Sequence, residues 1–321
     1  MWSHLDEVRH TDDQAGIGPR ATPTFADGRL YTLGATGILN CLDAATGDLQ
    51  WSHNIAAESG VKPPLPVWGF ASSPLVVKGL VVVFAGGEGD KGLLAYRAES
   101  GELAWTAATA GNHCYSSPQL ATLCGEEQIL YAGDSGLTAF AIDSGKVLWE
   151  QPVSSKGDMP RSLQPHPVGK SQVLIASQAG GATLFDLKHE NDAWTVSPRW
   201  SAKSLKPSFN DFVVHGNAIY GFDGSIFACV DVGTGERRWK DGRYDHGQVL
   251  LLADQSLLIV VSEEGEVVLV AADPEEHREL GRFKAIQGKT WNHPVFSHGR
   301  LFVRNGEEMA CYELPSSSAP H

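Results

Sequence analysis

Short apolar runs alternate with turn-forming residues along the whole chain of 321 residues. Runs such as Leu80–Phe84 and Leu257–Val261 contain no polar residue, which is typical of a strand that neighbouring sheets cover on both faces. The 35 glycines and 17 prolines recur between such runs and mark turns. No apolar run approaches the roughly 18 residues of a membrane-spanning helix. The pattern therefore predicts an all-β protein of many short strands.

The chain also repeats itself. The clearest unit runs from Gly28 to Trp51 and contains the sequence Asp-x-x-Thr-Gly-x-x-x-Trp. Close copies cover Gly92–Trp105, Gly136–Trp149 and Gly224–Trp239, and weaker copies cover Gly181–Trp200, Gly265–Leu280 and Gly299–Leu314. A strand start, often with proline at its first position, precedes each unit near residues 23, 74, 118, 165, 211, 248 and 294. These starts are about 45 residues apart on average, which is the period of four-stranded propeller blades. We therefore predict a seven-bladed β-propeller of four-stranded antiparallel blades, with residues 1–314 as a single domain and residues 315–321 as a flexible tail.

The two ends of the chain suggest how the ring closes. The last repeat ends before any outer tryptophan. The chain begins with Trp2-Ser3-His4, and the same tripeptide begins at Trp51, the last residue of the first repeat. We predict that the N-terminal strand, around Trp2–Val8, pairs with Met309–Glu313 and completes the last blade, which would remove an open sheet edge. A second interpretation is that the chain is a piece of a longer parent with an eighth blade.

The Asp-x-x-Thr-Gly segment is a turn motif. The Asp or Thr oxygen accepts hydrogen bonds from nearby backbone N–H groups, and glycine adopts a positive φ at low cost. We predict a positive φ at Gly47, Gly145 and Gly235. The tryptophan that follows is expected to pack against the next blade, because its ring buries on the order of 150–250 Å².

Composition and charge narrow the function. The chain carries 25 basic and 38 acidic side chains, a formal charge of −13, and shows no basic stripe, so nucleic acid is not expected as a partner. The N-terminus lacks the basic and apolar regions of a signal peptide. Acidic runs such as Glu263–Glu266 lack calcium-site spacing and are interpreted as solvated turns, so no metal is predicted.

Five cysteines, with no CxxC pair, predict free thiols. Cys41, Cys229 and Cys311 share one repeat position, and we expect all three to be buried in the sheets. Cys114 and Cys124 lie on either side of one inner strand, and a disulfide between them stays an alternative.

The residues at the seven strand starts are the candidate functional residues. Propeller strands that begin near the axis present their first side chains to one mouth of the central channel, where ligand sites on such folds usually lie. We predict an axial ligand-binding mouth lined by Arg20, Trp68, Tyr115, Gln164, Asn210, Asp211, His246, Trp291 and His293. The alternative is that these side chains only fill the channel and bond to one another.

The repeat at Tyr31–Trp51 resembles the PQQ-type repeat of the quinoprotein propeller superfamily, which includes quinoprotein alcohol dehydrogenases and BamB-like proteins. The resemblance covers nearly the whole chain and implies an extracytoplasmic, periplasmic location. The large dehydrogenases of this superfamily have a vicinal Cys-Cys disulfide over the cofactor and an Asp base beside calcium. This chain contains no Cys-Cys pair, so the resemblance favours a member without catalysis.

The leading functional hypothesis is therefore a non-catalytic binding or scaffold module, monomeric, that takes a protein partner or a small polar ligand at the axial mouth and needs no cofactor. The alternative is a PQQ-dependent alcohol or polyol dehydrogenase. In it, Trp68 or Trp291 would stack on the quinone, Arg20 or Arg161 would meet its carboxylates, and Asp211 would act as base. A sugar or polyol binder is a third hypothesis, because tryptophan-rich polar mouths suit those ligands.

Overall fold

A computed structural model describes residues 1–13, 16–62, 66, 68–109, 111, 114–154 and 161–314. The tail 315–321, for which we predict flexibility, lies outside the described residues. The chain divides into two compact units: the first comprises Met1–Ile175 and Phe185–Pro198, and the second comprises Ala176–Leu184 and the chain from Arg199 onward. The single-domain organisation stays a prediction.

Before the first blade, two short strands, β1 (Thr11–Asp12) and β2 (Gly16–Ile17), form a hairpin. Three four-stranded sheets follow. Blade one contains β3 (Thr24–Ala26), β4 (Arg29–Leu33), β5 (Ile38–Asp43) and β6 (Leu49–Asn54). Blade two contains β7 (Leu75–Val77), β8 (Leu80–Phe84), β9 (Leu93–Arg97) and β10 (Leu103–Ala107). Blade three contains β11 (Gln119–Leu123), β12 (Glu126–Gly133), β13 (Gly136–Phe140) and β14 (Val147–Pro152). One helix, α1 (Ile55–Ser59), follows β6.

Four further sheets complete the series. Blade four contains β15 (His166–Val168), β16 (Gln172–Ser177), β17 (Gly181–Glu190) and β18 (Ala193–Ala202), blade five contains β19 (Val213–His215), β20 (Ala218–Asp223), β21 (Ile226–Asp231) and β22 (Arg237–Arg243), blade six contains β23 (Gln248–Leu252), β24 (Leu257–Val261), β25 (Glu266–Ala271) and β26 (Glu279–Lys284), and blade seven contains β27 (Val295–Ser297), β28 (Arg300–Arg304) and β29 (Met309–Glu313). A short 3₁₀ helix, Ala253–Gln255, lies between β23 and β24. Within each blade the strands lie in chain order. The predicted seven-bladed, all-β propeller is confirmed, and each first strand begins within two residues of its predicted start.

The turn motif has the predicted conformation. In blade one, the Asp43 carboxylate Oδ1 accepts hydrogen bonds from Ala45 N and Thr46 N, both at 2.9 Å. The φ angles at Gly47, Gly145 and Gly235 are 82°, 68° and 75°, as predicted. Each of these glycines therefore lies in the left-handed region that L-residues avoid.

In three repeats the tryptophan docks onto the turn glycine of the next repeat. Trp105 shows the arrangement: its Nε1 donates to the Ile142 carbonyl at 3.0 Å, and its ring covers Gly145 so closely that an added Cβ would lie 2.5 Å from it. The same contact recurs at Trp51 with Gly101 and at Trp200 with Gly235. Glycine is thus required at this position for two reasons: the positive φ of the backbone and the close approach of the tryptophan ring.

The predicted closing strand is not present. Blade seven has three strands among the described residues, and no strand is assigned in Trp2–Val8. Hydrogen bonds of its own side chains to blade one hold this segment instead: Trp2 Nε1 donates to the Ala44 backbone carbonyl at 3.1 Å, and the amide of the buried Asn40 donates to both Asp6 oxygens at 2.9 and 3.1 Å. The N-terminal segment is therefore positioned by one ring and one carboxylate, with no need for backbone pairing.

The cysteines are free in the structure, so no disulfide joins Cys114 and Cys124. Cys41 and Cys229 are fully buried, as predicted, but Cys311 is exposed. The reason lies in the sheets: Cys41 and Cys229 each face a tryptophan on a fourth strand, whereas Cys311 lies on the outermost strand of a three-stranded sheet.

Candidate functional site

Antiparallel pairing brings three parts of a blade to the same end of its sheet: the start of the first strand, the turn between the second and third strands, and the end of the fourth strand. We call this end the start end. In blade five it contains Val213, the turn from Asp223 to Ile226, and Arg243. The predicted site residues all lie at or shortly before first strands. Four of them belong to the first unit and five to the second.

In the first unit, Trp68 and Tyr115 are in contact. Their ring centroids lie 5.0 Å apart at an angle of 42°, and the Trp68 backbone N–H donates to the Tyr115 hydroxyl at 3.3 Å. The Tyr115 backbone N–H donates to the Arg161 carbonyl at 2.7 Å. Burial raises the pKa of the Tyr115 hydroxyl, so it stays protonated at neutral pH.

Arg20 and Arg161, the two candidate arginines, bond to acceptors of their own chain. Arg20 forms an ion pair with Asp12 and donates to the Gly18 and Gly16 carbonyls at 2.7 and 3.0 Å. This arginine therefore bonds to both strands of the β1–β2 hairpin. Arg161 is 5% exposed, and its Nε donates to the Gly133 carbonyl at 3.0 Å.

Gln164, the fourth predicted residue of this unit, is half-buried and lies two residues before β15. It does not belong to the Trp68–Tyr115 contact. The first unit thus brings two of its four predicted residues into direct contact.

In the second unit, His246 and Trp291 meet at the carboxylate of Glu263. Trp291 Nε1 donates to Glu263 Oε1 at 2.7 Å, and the backbone N and ring Nδ1 of His246 donate to Oε2 at 3.2 and 3.1 Å. Phe209 stacks on His246 at 5.2 Å and meets Trp291 edge-on at 4.9 Å. The Lys289 ammonium lies 3.9 Å from the centroid of the Trp291 ring, on its face. We call the set Phe209, His246, Glu263 and Trp291 the Glu263 cluster.

Glu263 is ionised at neutral pH. Burial raises its pKa, but the hydrogen bonds from Trp291 and His246 stabilise the charged form and together leave the pKa below its ordinary value. An ionised carboxylate only accepts hydrogen bonds, so the His246 Nδ1 carries a proton.

The remaining predicted residues bond to nearby backbone. Asn210 is fully buried and accepts from Ser208 N at 2.9 Å, and Asp211 accepts from Phe212 N at 2.8 Å. The two ring nitrogens of His293 lie 2.9 Å from the carbonyls of Pro294 and Val249. None of these bonds reaches the Glu263 cluster.

Sequence reasoning missed Glu263, Phe209 and Lys289. Glu263 was interpreted as part of a solvated turn, yet it is half-buried and accepts three hydrogen bonds. A signal was present in the repeats: an acidic residue also follows the second strand of blade three, at Asp134, and ends that of blade five, at Asp223. Aligning the blades at that turn would have placed Glu263 among the candidate residues, together with Asp134 and Asp223.

A pH-dependent stability is expected from Glu263. Its folded pKa is lowered, so its contribution is fully present above the unfolded value of about 4.3 and is lost as the pH falls through the folded pKa. Glu263→Gln should lower stability by about 1 kcal/mol at neutral pH and by much less in acid. Thermal unfolding of both proteins between neutral and acidic pH measures this difference. Glu264→Gln, a charge change on the exposed neighbouring residue, is the control, and an equal loss in both variants at every pH would contradict the expectation.

Metal ligation and membrane insertion leave recognisable patterns in a structure. Over the described residues, no three His, Cys, Asp or Glu side chains are grouped so as to hold a metal ion. In the same part of the chain, no helix has the length and apolar character to span a membrane.

Comparison with known proteins agrees with the fold. The protein is a seven-bladed β-propeller built from PQQ-type repeats. Residues 1–241 match the family model described as outer membrane protein assembly factor BamB. The chain belongs to this family. A search of curated proteins found no match.

Solved structures show the same fold at low sequence identity. BamB from Moraxella catarrhalis is 16% identical with a TM-score of 0.67, and the match covers 98% of this chain and 84% of that one. The computationally designed Ika8 protein is 12% identical with a TM-score of 0.57, over 92% of this chain and 98% of that one. A quinohemoprotein alcohol dehydrogenase from Pseudomonas putida HK5 is 14% identical with a TM-score of 0.59, over 88% of this chain and 61% of that one.

Proposed function

We propose that this protein is a non-catalytic binding module that captures a segment of a partner protein at the Glu263 cluster. The observation that carries the proposal is the set of three rings, Phe209, His246 and Trp291, placed around one ionised carboxylate. Amphipathic rings with their polar atoms already bonded supply much of the binding energy at protein interfaces. The family's description as an assembly factor supports a scaffold role, and with it a periplasmic location.

Lys289 indicates the chemistry of the partner. Its ammonium already lies against the Trp291 ring, which shows that the ring face accepts a cation. A lysine or arginine of the partner would exchange with Lys289 there and reach the Glu263 carboxylate. The net charge of −13 supports a basic partner through long-range attraction. We therefore propose that the captured segment carries a basic side chain beside an aromatic one.

The alternative, a PQQ-dependent dehydrogenase, has less support from the geometry. The cofactor's carboxylates would need free cations, but the Arg20 guanidinium is bonded to Asp12, Gly16 and Gly18. Arg161 is directed to the Gly133 carbonyl. At the Glu263 cluster, the carboxylate would repel an anionic quinone. The described residues at these positions therefore favour a protein partner over this cofactor.

Selection from a displayed library of random peptides tests the proposal. Enriched peptides should combine lysine or arginine with phenylalanine, tyrosine or tryptophan. Their affinity should fall by at least about tenfold in Trp291→Ala, because an aromatic anchor is removed, and by less in Trp291→Phe, which keeps the ring and loses only the N–H donor. Glu263→Gln should weaken binding more than the matched charge change Glu264→Gln.

Three results would contradict the proposal. The first is equal affinity of the enriched peptides for the wild type and Trp291→Ala. The second is a preference of the site for sugars or polyols over peptides. The third is retained quinone absorbance and dye-linked alcohol oxidation after incubation with PQQ and calcium.

A further inference from the structure

A group of three cations surrounds one buried carboxylate at the start end of blade five. Asp223 is the last residue of β20, and its side chain is 3% exposed. Lys206 Nζ lies 3.1 Å from Asp223 Oδ1, while Arg237 Nη2 and Lys240 Nζ each lie 2.6 Å from Oδ2. We call these four residues the Asp223 cluster.

The cluster carries a net positive charge at neutral pH. Burial raises the pKa of Asp223, but the hydrogen bonds and charges of Lys240 and Lys206 outweigh this effect and leave the pKa lowered. Asp223 is therefore ionised and cancels one of the three positive charges. The excess of positive charge stands out on a chain whose net charge is −13.

The three cations keep donors for a further anion. Their side chains are 39%, 37% and 29% exposed for Lys206, Arg237 and Lys240, respectively. An ammonium has three N–H donors and a guanidinium has five, whereas one carboxylate offers about four acceptor sites. Apart from Asp223, these donors reach only the Ser204 carbonyl, 3.3 Å from Arg237, among the described residues. The three partly exposed side chains therefore keep donors that these two acceptors do not use.

Attachment of the Lys206 segment to blade five does not account for three cations. The Lys206 backbone already bonds to blade five, since its N–H donates to the Phe222 carbonyl at 3.0 Å and its carbonyl accepts from Gly224 N at 3.3 Å. A single cation balances the charge of a buried carboxylate. The second and third cations add mutual repulsion, which an incoming anion would relieve.

We propose that the Asp223 cluster is a docking site for an acidic segment of a partner protein, with partner carboxylates bound by Lys206, Arg237 and Lys240. The planar Arg237 guanidinium can bind either a carboxylate or a phosphate through two bonds. A side-chain carboxylate fits better than phosphate, because the incoming group must share its cations with Asp223 and a dianion meets more repulsion from that carboxylate than a monoanion does. The site is distinct from the Glu263 cluster and has the opposite charge, so it does not rest on the function proposed above.

Binding of a fluorescein-labelled hexaglutamate peptide tests the proposal. We expect saturable binding at low salt that weakens as salt is added. Arg237→Gln and Lys240→Gln should each lower the affinity by about tenfold, since each removes a charge-assisted contact. Arg282→Gln, which removes a cation paired with Glu279 on β26, should leave the affinity unchanged.

Asp223→Asn separates docking from a structural role. This substitution removes the central negative charge, so the proposed docking site should bind hexaglutamate more tightly. If the cluster has only a structural role, the variant should show lower thermal stability and no gain in affinity. Lys206→Gln provides a second measurement if Asp223→Asn does not fold, and it should weaken binding. The proposal is overturned if the affinity is the same in the wild type and Arg237→Gln, if inorganic phosphate displaces the peptide at equal concentration, or if vesicles of anionic lipid bind more tightly than the peptide.

Discussion

Replacing Gly145 with valine is expected to destabilise the first unit by about 3 kcal/mol or more. Two costs add at this position. The φ angle is 68°, which a β-branched residue adopts only under strain. An added Cβ would also lie 2.5 Å from the Trp105 ring, so the ring must leave its place over the turn and its hydrogen bond to the Ile142 carbonyl is lost. Urea unfolding followed by tryptophan fluorescence measures the loss.

Gly125 supplies the matched control. Its φ is 84°, but no atom lies within 4 Å of an added Cβ. Gly125→Val should therefore show the backbone cost alone, about 1–2 kcal/mol. Equal losses at Gly125 and Gly145 would mean that the tryptophan docking contributes nothing to the requirement for glycine.

Deleting residues 1–10 is expected to lower the melting temperature markedly, by an amount that corresponds to about 3 kcal/mol. The deletion uncovers Gly47, over which the Trp2 ring lies, and leaves the amide of Asn40, which is 1% exposed, without Asp6. Trp2→Ala alone should account for much of the effect, because it removes the ring and its bond to the Ala44 carbonyl.

Leu5→Ala is the control for this segment. Leu5 lies between the two anchoring residues but is 84% exposed, so its truncation should change the melting temperature little. An unchanged melting temperature in the deletion variant would show that the contacts of Trp2 and Asp6 do not stabilise the fold.

Much of the fold could be predicted because each blade is encoded locally. The strand starts, the Asp-x-x-Thr-Gly turns and the positive φ of Gly145 depend on residues within one repeat, and repetition along the chain made them visible. The closing strand was predicted wrongly because the same reasoning was applied at the N-terminus. Trp2 keeps the tryptophan contact of the repeat, with its ring over Gly47, while the backbone around it forms no strand.

The candidate site was predictable only in part. The strand starts identified His246 and Trp291, because residues there recur at the same end of successive blades. They did not identify Glu263, since a charged residue in a turn has the same appearance in sequence whether it is solvated or accepts hydrogen bonds from an indole and an imidazole. The Asp223 cluster was not predicted either, because Lys206 and Lys240 each lie 17 residues from Asp223 and this spacing matches no known site motif.

The class of fold, the number of blades, the turn glycines and the family resemblance follow from the amino-acid sequence alone, because these depend on short segments that repeat. Packing of the folded chain establishes which polar side chains are buried and which charges meet. Those properties depend on side chains that fold together from different blades or loops, as Glu263 does with Trp291 and Asp223 with Lys206. The desolvation of a carboxylate and its compensation by distant donors arise only when the chain is packed.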